Sequence, residues 1–138
     1  MLAVIDTNVL FEGLTKQGGA SRLVIEAWLA GEFRPCVSTA SALEYQSVLT
    51  RKLAPERLLR LEIVLSALLD QAKHIEIHFS WRPSSTDPGD DMVVDCTINV
   101  GPVLVTWNLA DFALPAQLFG LHVLTPVEFV SRLHHSIS

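Results

Sequence analysis

The sequence is poor in charge and in cysteine, and it has no long apolar run. Only 18% of its 138 residues are charged while 49% are hydrophobic, a balance that excludes the profile of a disordered segment and requires a packed core. No stretch approaches the roughly 20 apolar residues needed to cross a bilayer, so no membrane association is expected. The opening Met1-Leu2-Ala3-Val4-Ile5-Asp6 lacks a basic region and soon reaches a carboxylate. It is not expected to serve as a signal peptide, and a cytoplasmic protein is the expectation. The two cysteines, Cys36 and Cys96, make no Cys-x-x-Cys pair. They fit buried, reduced thiols better than a disulfide framework or a zinc site. The formal net charge of −5 lacks the positive excess with which many proteins hold nucleic acid. That argument loses force where acids gather around cations, because a bound ion reverses the field that a phosphate meets.

What is present is alternation of strand and helix patterns. Residues 2–5 are a continuous apolar run, as in a buried parallel strand, with Asp6 at its carboxyl end. After Gly18-Gly19, residues 21–30 show helical spacing, and 35–38 read as a second strand. Thr39 or Ser41 is expected to cap a helix to about Lys52. Pro55 opens another, to about Lys73, with leucines on nearly every side. Residues 75–79 alternate as a half-exposed strand before a loop over 81–89. A helix over 90–100, a strand over 103–106, a strand over 122–124 and a last helix begun by Thr125-Pro126 complete the pattern. Such alternation predicts an α/β domain with a mostly parallel sheet covered on both faces, spanning 1–138 without repeat or linker.

In these sheets the working residues sit at the carboxyl ends of strands. Asp6 follows the first strand, Glu44 lies in the helix after the second, Asp90 and Asp91 begin a helix, and Asn108 and Asp111 follow the fourth strand. Carboxylates brought together repel unless a divalent cation compensates them. Oxygen-only ligands favour Mg²⁺ or Mn²⁺, and activation of water for phosphodiester displacement would follow. Each acid also has an ordinary reading. Asp6, Thr7 or Asn8 can cap the following helix, Glu44 can face solvent, and Asp87, Asp90 and Asp91 can form a turn and a helix start. Asp95 either lines the acidic cleft or points to solvent at a helix edge.

Several segments carry a family likeness. Val4-Ile5-Asp6-Thr7-Asn8-Val9-Leu10, Ser41-Ala42-Leu43-Glu44, Asp87-Pro88-Gly89-Asp90-Asp91-Met92-Val93-Val94 and Leu104-Val105-Thr106-Trp107-Asn108-Leu109-Ala110-Asp111-Phe112 resemble, in order and spacing, the motifs of PIN-domain nucleases, the family that includes VapC-type toxins. The closing Leu124-Thr125-Pro126-Val127-Glu128-Phe129 resembles the toxin branch. The resemblance implies a three-layer α/β/α sandwich and Mg²⁺- or Mn²⁺-dependent cleavage of RNA, with an antitoxin protein as partner. It assigns the catalytic acids to Asp6, Glu44 and Asp90, and metal binding to these with Asp91 and Asn108. Asn8, Asp95, Thr106 and Asp111 are supporting positions. Asn108 stands where many members carry an acid, so a PIN-fold module that binds RNA or a protein without cutting is the alternative.

Other residues are read both ways. Trp28 fits a buried helical stripe, whereas Trp81 and Trp107 could stack on unpaired bases. Arg51, Lys52, Arg57 and Arg60 could contact phosphates or form an ordinary charged surface. The surplus of leucines between 55 and 73 could serve a homodimer or a regulatory peptide, or simply pack on the sheet. A doubly wound regulatory domain phosphorylated on Asp6 would need a lysine near the end of a late strand, and none lies beyond Lys73.

Overall fold

The computed structural model describes residues 1–78, 88–100 and 103–137, with the side chains of all of these but 88–91, 100, 136 and 137. The chain opens with β1 (Leu2–Ile5), α1 (Thr7–Thr15), α2 (Ala20–Leu29), β2 (Arg34–Val37), α3 (Thr39–Lys52), α4 (Pro55–Gln71) and β3 (Lys73–His74). It continues with α5 (Pro88–Val100), β4 (Val103–Val105), a 3-10 turn (Leu109–Phe112), α6 (Ala113–Phe119), β5 (His122–Leu124) and α7 (Pro126–Ile137). The strands form one sheet in the order β3-β2-β1-β4-β5, and every pairing is parallel.

The apolar run of β1 does not alternate because both faces of its strand are covered. Ala3 and Ile5 point to one side with Val37, Val103 and Val105, where they meet Val9 and Leu10 of α1, Trp28 of α2, Leu49 of α3, Leu65 and Leu68 of α4 and Phe129 of α7. Val4, Cys36 and Leu104 point to the other, against Val93, Val94 and Cys96 of α5 and Phe112. The result is the three-layer α/β/α sandwich. Trp28 is core, and its indole N–H donates to the Leu68 carbonyl at 2.9 Å. Both cysteines are free and buried.

Pro35 lies inside the sheet without loss of a ladder bond. The Arg34 amide donates to Met1 on the β1 side, and the Val37 carbonyl accepts from Ile75 on the β3 side, so by alternation Pro35 faces β3. There β3 begins only at Lys73, opposite Cys36, and no partner is deprived.

Four expectations are corrected. The third strand is Lys73–His74, not 75–79, because β2 stops at Val37 and Ser38 turns away into a helix cap; Phe79 lies outside the described residues. The helix expected to reach Lys73 ends at Gln71, since Ala72 is already extended. Ser38, rather than Thr39 or Ser41, caps α3: its hydroxyl accepts from the Ser41 amide at 3.0 Å while Ser41 Oγ accepts from the Ser38 amide at 2.8 Å. The helix expected to start at Asp90 begins at Pro88. The 3-10 turn and α6 had no counterpart in the sequence reading.

Candidate active site

Asp6 leaves the carboxyl end of β1, the central strand, and its amide donates to the Val105 carbonyl of β4 at 2.9 Å. It is 3% exposed. Oδ1 accepts from the Thr7 amide at 2.8 Å and so caps α1, while Oδ2 accepts from the Thr106 hydroxyl at 2.6 Å. The capping and site readings of Asp6 are therefore compatible: one oxygen anchors the helix, and the other is tied to the next strand. The Thr106 hydroxyl in turn accepts from the Asn108 amide at 3.0 Å, which sets the course of the chain after β4. On the other flank Tyr45 of α3 donates its hydroxyl to the Ile5 carbonyl and holds α3 against the end of β1. Burial pushes the Tyr45 phenol well above its ordinary value, so it stays a neutral donor.

Asp6, Thr7 and Asn108 border a cleft of about 490 Å³. Asp6, Asn8, Glu44 and Asn108 line it together with Thr7, Phe11, Glu12, Thr15, Lys16, Val48, Arg51 and Lys52. Glu44 is held 3.6 Å from the Arg51 guanidinium. Asn8, Glu12, Thr15 and Lys16 fall on one side of α1 by helical spacing, and Glu44, Val48, Arg51 and Lys52 do so on α3. The cleft thus has an acidic part near the strand ends and a cationic part farther along the two helices.

Of the residues singled out by sequence, the fold brings Asp6, Asn8, Glu44 and Asn108 to the cleft and sets Thr106 behind Asp6. Asp111 lies exposed in the 3-10 turn, its amide bonded to the Asn108 carbonyl at 3.1 Å, and does not line the cleft. Asp95 neither lines it nor faces solvent: it is 5% exposed within α5. Asp90 and Asp91 fall in the first turn of α5, but their side chains lie outside the described residues, as do Asp87 and Trp81. Trp107 is 37% exposed, and its indole N–H donates to Ser21 Oγ at 2.8 Å. Sequence reasoning missed Phe11, Glu12, Thr15 and Lys16. Their signal was the Asn8, Glu12, Lys16 spacing of four, which carries meaning only once Asn8 is placed.

The donor chemistry suits a hard divalent cation. Asp6, Glu44, Asn8 and Asn108 offer only oxygen and amide groups. Asn8 Oδ1 is buried with no hydrogen-bond partner among the described residues. Such an acceptor costs about 1–3 kcal/mol when unsatisfied, and a cation is one partner that would satisfy it. Among the described residues no three His, Cys, Asp or Glu side chains are gathered closely enough to hold a metal. Asp6 and Glu44 are the two carboxylates of the sequence-derived set whose side chains are described at the cleft.

Residues 3–110 match the family described as PIN domain. Eleven chains of solved structures match the fold. Among them is a chain in the crystal structure of VapBC2 from Rickettsia felis bound to a DNA fragment from their promoter. It aligns with a TM-score of 0.63 at 14% identity, over 91% of this chain and 98% of that one. No curated protein sequence matches.

Proposed function

Because the chain belongs to the PIN-domain family, we propose that it is a metal-dependent endoribonuclease and the toxin of a toxin–antitoxin pair. The observation that carries this reading is the fixing of Asp6 at the carboxyl end of the central strand, inside a cleft that also holds Glu44, Asn8 and Asn108. Asp6, Asn8, Glu44 and Asn108 would hold Mg²⁺ or Mn²⁺, with Asp90 and Asp91 added from the sequence motif. The cation supplies Lewis acidity and lowers the pKa of water. The chain's own residues do the rest. Thr106 and Thr7 fix the Asp6 carboxylate so that it need not reorganise during the reaction. Glu44, a carboxylate that also lines the cleft, would orient the attacking water and act as its base. Thr106 supports the site through Asp6, and Asp95 and Asp111 are supporting positions from the sequence alone.

The reading includes an antitoxin as partner and a two-fold homodimer acting in the cytoplasm. It draws on the likeness to a chain of a VapBC complex. No helix among the described residues is long and apolar enough to cross a membrane.

The test is cleavage of RNA by the purified chain with Mn²⁺. Asp6→Asn and Asp90→Asn are each expected to abolish it. Undiminished cleavage in both variants would overturn the assignment. A neutral Asn108 at the cleft favours a second reading, a PIN-fold module that binds RNA or a protein without cutting. Calorimetric titration with Mn²⁺ separates the two, because a chain that takes up no divalent ion at millimolar levels cannot run the first mechanism.

A further inference from the structure

The net charge of −5 conceals a local reversal. Lys16 at the end of α1 and Arg51 and Lys52 in the last turn of α3 all line the cleft, Arg51 beside Glu44. Arg57 and Arg60, adjacent in sequence, do not; Arg57 instead donates to the Thr15 carbonyl at 2.7 Å. The fold therefore selects three cations and leaves the others outside.

Their present partners are weak. Lys16 lies 3.7 Å from Glu12 with two-thirds of its side chain exposed. Such a pair is worth little in water. Lys52 makes no ion pair among the described residues, and its ammonium rests 5.0 Å over the Phe11 ring. Arg51 pairs with Glu44 at 3.6 Å while remaining largely exposed. A polyanion entering the cleft would meet donors that cost little to recruit.

Spacing tells what kind of polyanion fits. From Glu44 to Lys52 along α3 is about 12 Å at the helical rise of about 1.5 Å per residue. An extended strand advances farther per nucleotide than a stacked one, so Lys52 lies a few nucleotides at most from Glu44, and Arg51, whose guanidinium reaches Glu44 at 3.6 Å, bridges the acidic and cationic parts. We infer that Lys16, Arg51 and Lys52 form a subsite for backbone phosphates of a single RNA strand, which lies along the cleft with its scissile bond at Asp6 and Glu44. This deepens the nuclease reading and rests on it for the position of the scissile bond. An extended strand suits the cleft because its phosphates can follow one wall while the bases turn outward.

The experiment is equilibrium binding of a short fluorescein-labelled single-stranded RNA to the metal-free full chain at several salt concentrations, by anisotropy. Each phosphate contact on a single strand contributes about −0.7 to the slope of log K against log salt. Lys16→Gln/Lys52→Gln, which removes both charges and keeps polar side chains only slightly shorter, is expected to flatten the slope by about 1.4 and to weaken binding roughly tenfold. Arg34→Ala/Arg60→Ala removes two charges elsewhere and is expected to keep the wild-type slope. Thermal melts of both variants check that they fold, and Lys52→Glu alone provides a second variant.

Equal slopes in the two double variants overturn the subsite, as does failure of the wild type to bind the RNA. So does a preference for polyglutamate over RNA that depends on Lys16 and Lys52, which would make the cationic end a protein-docking site. Cleavage with Mn²⁺ is measured in parallel. RNA cut by the wild type with unchanged slopes sinks the subsite alone. The predicted slopes without cleavage sink the nuclease reading and leave the subsite standing.

Discussion

The Thr106 hydroxyl donates to Asp6 Oδ2 at 2.6 Å across 100 positions of sequence. That bond joins the carboxyl ends of β1 and β4, and the Asn108 amide, donating to the same hydroxyl, extends it toward the cleft. A hydrogen bond to a charged acceptor contributes about 1.5–3 kcal/mol, and Thr106 is fully buried. Thr106→Val keeps the shape and removes the donor. It is expected to lower the unfolding free energy by that amount in urea and to reduce RNA cleavage, while Thr106→Ser restores both.

Asn8→Ala provides a separate test of the metal reading. The Asn8 Oδ1 has no partner to lose among the described residues, and its removal lifts the cost of burying it, so stability should hold or rise, by up to about 1–3 kcal/mol. Mn²⁺ affinity measured by calorimetry should fall severalfold. Unchanged affinity would remove Asn8 from the ligand set.

Gly13 lies where α1 crosses α2. A Cβ there would meet the Ile25 side chain and come within 2.6 Å of the Ser21 carbonyl oxygen. Alanine in a helix normally gains about 1 kcal/mol over glycine. Here overpacking should exceed that gain, giving a net loss of about 1–3 kcal/mol for Gly13→Ala, readable as a lower urea midpoint. A gain in stability would show that the two helices can separate without cost.

Alkaline pH should destabilise the fold. Burial, reinforced by nearby Cys36, pushes the Cys96 thiol from its ordinary value of 9.0 up to about 12, and burial also raises Cys36. The fold accommodates the protonated thiols, whereas the unfolded chain releases these protons near pH 9. Stability from this source is complete below pH 9 and is lost as pH climbs toward 12, by up to about 1.4 kcal/mol per unit for each group. Urea midpoints from pH 8 to 11 should trace this fall, and Cys36→Ala/Cys96→Ala should flatten it.

Legibility in the sequence followed the range of the interaction. Asp6 was readable because an apolar run ending in a carboxylate is a local pattern, and the parallel sheet was readable because strands and helices alternate. The ends of β3 and α4 were not, since where β2 stops depends on the Ser38–Ser41 cap. Asp95 looked like a cleft or surface residue, yet α5 packs against β1, β2 and α3 and carries it under cover. Lys16 and Lys52 lie far apart in sequence, and only the contact of α1 with α3 brings them to one cleft.

The place of β1 in the strand order has a consequence for biosynthesis. Of the five strands, the earliest in sequence is the middle one; β2 follows it closely, but β4 comes about a hundred residues later. At roughly 5–20 residues per second, that flank of β1 stays open for about 5–20 s, and for that interval Asp6 has no Thr106 to hold it. On the proposed nuclease reading, the carboxylate at the end of β1 is therefore fixed in place only once most of the chain has been made.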